Sequence, residues 1–244
     1  MNILAIDTAT SILSAALNTD EGTWFFEADA GLRHSEILMD VIETLMTSAD
    51  LPRDKLEGVV CMKGPGSFTG LRIGFSAAKG LALSLGIPFA AVPTLDCMAF
   101  SASVWPGFVL PLIDAKQNSF FTALYRGGKR LSDFMDAGVS RIADLVSEAL
   151  SEAPPGEKRL FLTGPDAGLF YTWLHENRIP ALPEDSICLD PECRKGRAKD
   201  LLAVVKNVNI FDNIRDDLFA GPEYLRKSDA ELHFGSPGLI KTGF

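Results

Sequence analysis

The chain reads as an α/β protein of two lobes, each a mixed β-sheet with flanking helices. Three observations predict this. The first thirty residues hold three strand-like runs with hairpin punctuation. Helix and strand alternate after them. The same order then restarts in the second half of the chain.

The elements follow in order. "NILAID" is a continuous apolar run, as in a strand covered on both faces, and Asp7 ends it. "SILSAALN" follows the turn-forming "TAT", and "TWFFEAD" follows "TDEG". From His34 to Met46, Ile37, Leu38, Val41, Ile42 and Leu45 recur at helical spacing, with His34 a half-exposed first-turn residue. "LEGVVCMK" is a strand, a glycine-rich loop comes next, and Leu71–Leu85 is a helix. "PFAAVP" is a strand and "TLDCMAFSAS" a helical segment. The second half gives strands "FVLPLIDAK", "NSFFTALYR" and "LSDFMDAGV", then a helix at Ile142–Leu150. Strand "RLFLTG", a helix at Leu169–His175, strand "SICLD" and a helix at Ala198–Val205 complete it. These predict an amino-terminal lobe over 1–105 and a carboxy-terminal lobe over 106–244.

Composition excludes several classes. With 32 acidic against 23 basic side chains the net charge is −9, which disfavours autonomous nucleic-acid binding. The basic cluster Arg194, Lys195, Arg197 and Lys199 reads as a solvated loop and helix start. The four cysteines form no CxxC pair, and Cys61 and Cys97 sit in apolar runs as buried thiols of a reducing compartment. "MNILAIDTAT" lacks a basic leader, and prolines break the uncharged stretches, so a cytoplasmic chain without a membrane span is expected.

The loop "GPGSFTG" raises the functional question. Leu71 follows Gly70 where a Walker loop needs lysine, and the Gly66 to Gly70 spacing exceeds the dinucleotide fingerprint. What remains is a strand, a tight turn and a helix start that Ser67 or Thr69 can cap. A structural turn is favoured over an anion site built on Gly64, Gly66 and Ser67. Gly70, Gly74, Ala77 and Ala78 share one helix face, suited either to the helix's own sheet or to a partner helix. Asp7 and Asp114 end the first strands of the two halves. Such aspartates orient metal and phosphate in two-lobed phosphotransferases, or merely cap a turn. His34, His175 and His233 make no metal motif, and no Gly-x-Ser-x-Gly elbow exists.

"MNILAIDTAT", "GPGSFTGLRIG" with "AKGLAL", "GIPFAAVPTLDCMA" and "PEYLR" together resemble the TsaB (YeaZ) family, whose members serve in forming N6-threonylcarbamoyladenosine in tRNA. The resemblance is dense over 1–100 and returns at Asp114–Tyr125 and Pro222–Arg226. It implies the actin-like (ASKHA) fold and a non-catalytic subunit that supports a TsaD-like catalytic subunit, with no cofactor or metal of its own. TsaD-like chains carry histidines where this sequence has Thr94, Leu95, Asp96, Cys97 and Met98. It further implies docking through the two amino-lobe helices. Leu38, Met39, Ile42, Leu45 and Met46 would contribute from the first helix, and Gly70, Gly74, Ala77, Ala78 and Leu81 from the second. A TsaE-like ATPase, a homodimer of the isolated chain and tRNA contact only through the complex are implied as well. Lys116, Gln117, Asn118 and Ser119 depart from the family's usual turn. Two other readings compete: a glycoprotease-type metallopeptidase, which demands a metal, and an actin-like small-molecule kinase. The kinase needs a second phosphate loop, for which "LTGPDAG" (Leu162–Gly168) is the candidate.

Overall fold

Strand β1 (Ile3–Asp7) is buried along its whole length, as its unbroken apolar run requires of a strand covered on both faces. Strands β2 (Ile12–Asn18) and β3 (Thr23–Asp29) fold back from it as an antiparallel meander. Helix α1 (His34–Ser48) then crosses to β4 (Gly58–Gly64), parallel to β1. Helix α2 (Phe68–Leu85) leads to β5 (Phe89–Pro93), parallel to β4, and the sheet order is β3-β2-β1-β4-β5. The computed structural model describes residues 1–176, 184–208, 211 and 221–226; His233 lies outside them.

The second sheet repeats the plan. Helix α3 (Thr94–Phe100) precedes β6 (Phe108–Lys116), β7 (Ser119–Thr122), β8 (Tyr125–Arg126), β9 (Lys129–Arg130) and β10 (Met135–Gly138). Helix α4 (Val139–Glu152), β11 (Leu160–Thr163), α5 (Ala167–Glu176) and β12 (Ile187–Leu189) follow. The order β10-β7-β6-β11-β12 has the first sheet's pattern: an antiparallel meander on one side of the first strand, parallel strands on the other.

One face of the first sheet is covered by α1 and α2, which bury Leu38, Val41, Ile42, Leu45, Phe75, Ala78 and Ala82. The opposite face is covered by a helix from the far end of the chain. Helix α6 (Ala198–Val208) sets Ala198, Leu201, Leu202 and Val205 against Ile3, Ala5, Ala16 and Val60. Helices α4 and α5 cover the second sheet. Helix α3 is wedged between the two sheets, with Cys97 packed toward the first and Leu95, Met98 and Ala99 toward the second.

Two expectations need correction. His34 is buried, 4% exposed, because α1 begins tucked beneath the backbone of Thr10 and Gly31. Burial holds its imidazole below the ordinary pKa, and among the described residues Nε2 has no hydrogen-bond partner. Arg197 does not belong to a solvated loop: its side chain is fully buried. Among the described residues no helix is long and apolar enough to cross a membrane.

Candidate functional site

The glycine loop is shaped by the turn it rests on. Ser67 Oγ accepts the Gly70 N–H at 3.2 Å, so the helix begins at Phe68 rather than at Leu71. A Cβ on Gly66 would stand 2.4 Å from the Ala9 carbonyl oxygen, and one on Gly70 2.0 Å from that of Thr8. On Gly74 it would stand 2.4 Å from Thr8 Oγ1, which itself donates to the Gly70 carbonyl at 2.8 Å. The small face therefore seats α2 on the β1–β2 turn of its own sheet. Gly70, Gly74 and Ala78 are buried there and are not a surface for another chain.

Beside the loop an interlobe cleft of about 690 Å³ opens. The first lobe contributes Ala9–Ser11 and Gly66–Thr69; the second contributes Ile113–Gln117 and Asp166. Its second-lobe wall is carboxylate-rich. The Asp166 carboxylate accepts the Asp114 N–H at 2.7 Å, while Asp114 accepts from the Lys116 backbone and Nζ at 2.7 and 2.6 Å. Burial, together with the neighbouring Asp114 charge, pushes the Asp166 carboxyl above its ordinary pKa. The "LTGPDAG" turn thus places the Asp166 carboxyl on the cleft, beside the Lys116–Asp114 ion pair. Asp166 was not among the residues singled out from sequence, although it lies inside that segment.

A short segment crosses the mouth of this cleft. Glu223 donates its N–H to the Lys63 carbonyl at 2.7 Å, and its own carbonyl fills the space beside Gly64, whose φ is 111°. Gly64 is thereby a seat for this strap; a Cβ there would lie 2.4 Å from Glu223 O. Tyr224 packs on the Phe68 ring with centroids 4.5 Å apart, and Arg72 Nε donates to its hydroxyl at 3.2 Å. Leu225 joins the second lobe's apolar cluster. Arg226 donates to Ala115 O, Ser119 Oγ and Asp136 at 2.7, 2.9 and 2.7 Å.

Asp7 is not exposed to the cleft. It is 1% exposed, and its two carboxylate oxygens accept the N–H groups of Ala9 and Arg197, each at 3.0 Å. Gly196 N–H goes to Glu27 at 2.8 Å and Ala198 N–H to Ser14 Oγ at 3.1 Å. Side chains of the first sheet thus satisfy three consecutive amides at the start of α6, and Asp7 serves as one of those caps. The Arg197 guanidinium turns the other way, to Ser101, Asp200 and Thr163 at 3.1, 3.2 and 3.0 Å. Burial outweighs the amides and raises the Asp7 pKa above the ordinary carboxylate value.

A groove of about 450 Å³ runs between α1 and α2 and shares Phe68 and Thr69 with the cleft. Met39 stands 51% exposed on its rim, and Arg72, Ile73, Ser76 and Ala77 line it. Of the other α1 residues singled out from sequence, Leu38 reaches the groove, whereas Ile42, Leu45 and Met46 are committed to the lobe's own core. The apolar surface of α1 is wide because the helix packs on both the sheet and α2. Leu81 is half-buried against the same core.

The α3 segment offers no ligand set. Thr94, Leu95, Cys97 and Met98 are buried, while Asp96 accepts from the Tyr125 hydroxyl at 2.6 Å and sits 3.4 Å from Arg130. Among the described residues no three His, Cys, Asp or Glu side chains come together as a metal site.

Two repeated mixed sheets, a helix wedged between them and a cleft bordered by the strand ends define a two-lobed protein of the actin-like fold. The chain belongs to the family described as "TsaD: tRNA N6-adenosine threonylcarbamoyltransferase", whose model matches residues 28–233, and curated relatives that it resembles carry the name TsaB. It is 39% identical over 128 residues to the "tRNA threonylcarbamoyladenosine biosynthesis protein TsaB" of Bacillus subtilis (strain 168), covering 52% of this chain and 56% of that protein. It is 37% identical over 129 residues to the protein of that name from Escherichia coli (strain K12), covering 52% and 55%. The matched region thus spans about half the length of these curated relatives. Among solved structures, "YeaZ from Pseudomonas aeruginosa" shares the fold with a TM-score of 0.72 at 23% identity, over 92% of this chain and 99% of that one.

Proposed function

We propose that this chain is the non-catalytic partner of a TsaD-like transferase in forming N6-threonylcarbamoyladenosine in tRNA. The observation that carries the reading is α3. At the positions where the family resemblance places the transferase's histidines, this chain buries Leu95, Cys97 and Met98 between two sheets. No imidazole projects from that helix, and Asp96 is already held by Tyr125.

What it contributes instead is the α1–α2 face. Met39, Phe68, Ile73 and Ala77 line a shallow apolar groove into which a partner helix fits, with burial stabilising by about 25 cal/mol per Å² before association costs. We place the docking residues on this accessible subset, within the amino-terminal lobe. A TsaE-like ATPase, self-association of the isolated chain through the same groove, contact with tRNA only through the assembled complex and a cytoplasmic setting belong to the same reading.

Co-purification with a TsaD-like protein tests it. Half-buried Ala77 replaced in Ala77→Arg should abolish the complex and leave the unfolding midpoint within a few degrees of wild type. An unchanged complex would place the interface elsewhere. Turnover of threonine, bicarbonate and ATP by the isolated chain would overturn the non-catalytic reading.

A further inference from the structure

The segment Pro222–Arg226 touches both lobes within five residues. Glu223 and Tyr224 hold the first lobe, through Lys63, Phe68 and Arg72; Leu225 and Arg226 hold the second, through its apolar cluster and the β6–β7 turn. At the first-lobe end, Arg72 lies over the Phe68 ring at 4.0 Å, and both residues line the α1–α2 groove. At the other end is a turn in an uncommon state. Lys116, Gln117 and Asn118 have φ of 63°, 53° and 63°, the left-handed region that L side chains rarely occupy. Such conformations persist only where surrounding contacts impose them. Arg226 supplies two of those contacts, to the residues flanking the turn, Ala115 and Ser119.

We propose that this strap is a relay: occupation of the groove orders the Lys116–Asn118 turn on the far side of the cleft. This rests on the docking reading above and adds its internal consequence. A partner helix over Phe68 and Arg72 excludes water from the Arg72–Phe68–Tyr224 stack. In that lower dielectric both the cation–π contact and the hydrogen bond to Tyr224 strengthen. Tyr224 is then held more firmly, the strap frays less, and Arg226 keeps its three bonds for a larger share of the time. Asp114 accepts from Lys116 of this turn and donates its own N–H to Asp166, so the relay also fixes the charges presented to the cleft.

Amide hydrogen exchange on the full chain, read over residues 112–122, tests this. Saturation with the TsaD-like subunit should slow exchange in that segment by at least threefold in wild type. The slowing should be absent in Tyr224→Ala and Arg226→Lys, with complex formation checked by gel filtration. Arg226→Lys keeps the charge but loses the fork, so in the isolated chain it should by itself speed exchange there by about threefold. A complex that leaves the segment unchanged overturns the relay alone. Slowing that survives Tyr224→Ala does the same, as does unaltered exchange in isolated Arg226→Lys. Absence of any complex overturns the docking reading and the relay with it.

Discussion

The backbone N–H of Arg197 donates to the carboxylate of Asp7 at 3.0 Å, joining two residues 190 positions apart. From the same residue the guanidinium reaches Thr163 at 3.0 Å on the second sheet and lies 3.8 Å from Asp190. One residue therefore ties the end of the first strand to the second lobe, its side chain wholly out of water.

Arg197→Ala should be among the most damaging single changes in the chain. It leaves Asp190 and Asp200 without their buried cation, and losing one partner of such a group costs about 3–5 kcal/mol. Urea unfolding with a midpoint close to wild type would show that the latch carries no weight. Arg197→Lys should recover only part of the loss, because one ammonium cannot serve Ser101, Asp200 and Thr163 together.

Asp7 gives stability a pH dependence of definite sign. Its folded pKa lies above the ordinary value, so the folded chain binds that proton more tightly than the unfolded chain does. Its contribution is greatest below the unfolded pKa, near 3.8, and declines as pH rises through the raised folded value. The stability of wild type minus that of Asp7→Asn should therefore fall between about pH 4 and the folded pKa, then level off. Denaturant titrations across the acid range measure it; a difference that grows with pH contradicts the argument.

Glycines in one helix should respond in opposite directions. Gly70→Ala places a methyl 2.0 Å from a backbone oxygen, and forcing it in should cost about 3 kcal/mol, the upper end for overpacking. Gly80 is exposed, and a methyl added there would meet nothing within 4 Å, so Gly80→Ala should stabilise by roughly 0.5–1 kcal/mol. Thermal melts of the two variants decide it.

Thiol chemistry should divide the cysteines into two pairs. Cys61 and Cys97 are buried, and burial drives their pKa values upward, so both should resist an aromatic disulfide reagent in the native protein. Cys188 and Cys193 are partly accessible and should react. Two thiols titrating natively and four in denaturant is the expected count.

Most strands and helices and the two-sheet plan were legible because hydrophobic period and turn chemistry are local, whereas "NSFFTALYR" is divided into β7 and β8, and the two-residue β9 carries no such pattern. A cap at Ser67 or Thr69 was legible for the same reason, and the structure uses Ser67. Roles set by distant partners were not. Nothing in "CRKGRAK" distinguishes Arg197 from its neighbours Arg194 and Lys199; only the approach of Ser101, Thr163 and Asp200 does. The apolar residues of α1 divide between core and groove according to where α2 lies, which periodicity on one helix does not report. Gly64 carried a signal of need without its cause, since the Glu223 carbonyl arrives from the other end of the chain.

Helix α6 belongs to the second half by sequence and to the first sheet by packing. A gene fragment that stops after α3 would leave Ile3, Ala5, Ala16 and Val60 facing solvent and the Asp7 carboxyl without its capped amide. Such a truncation is expected to precipitate on expression, while supplying the missing helix on a separate polypeptide, or fused ahead of Met1, should rescue it.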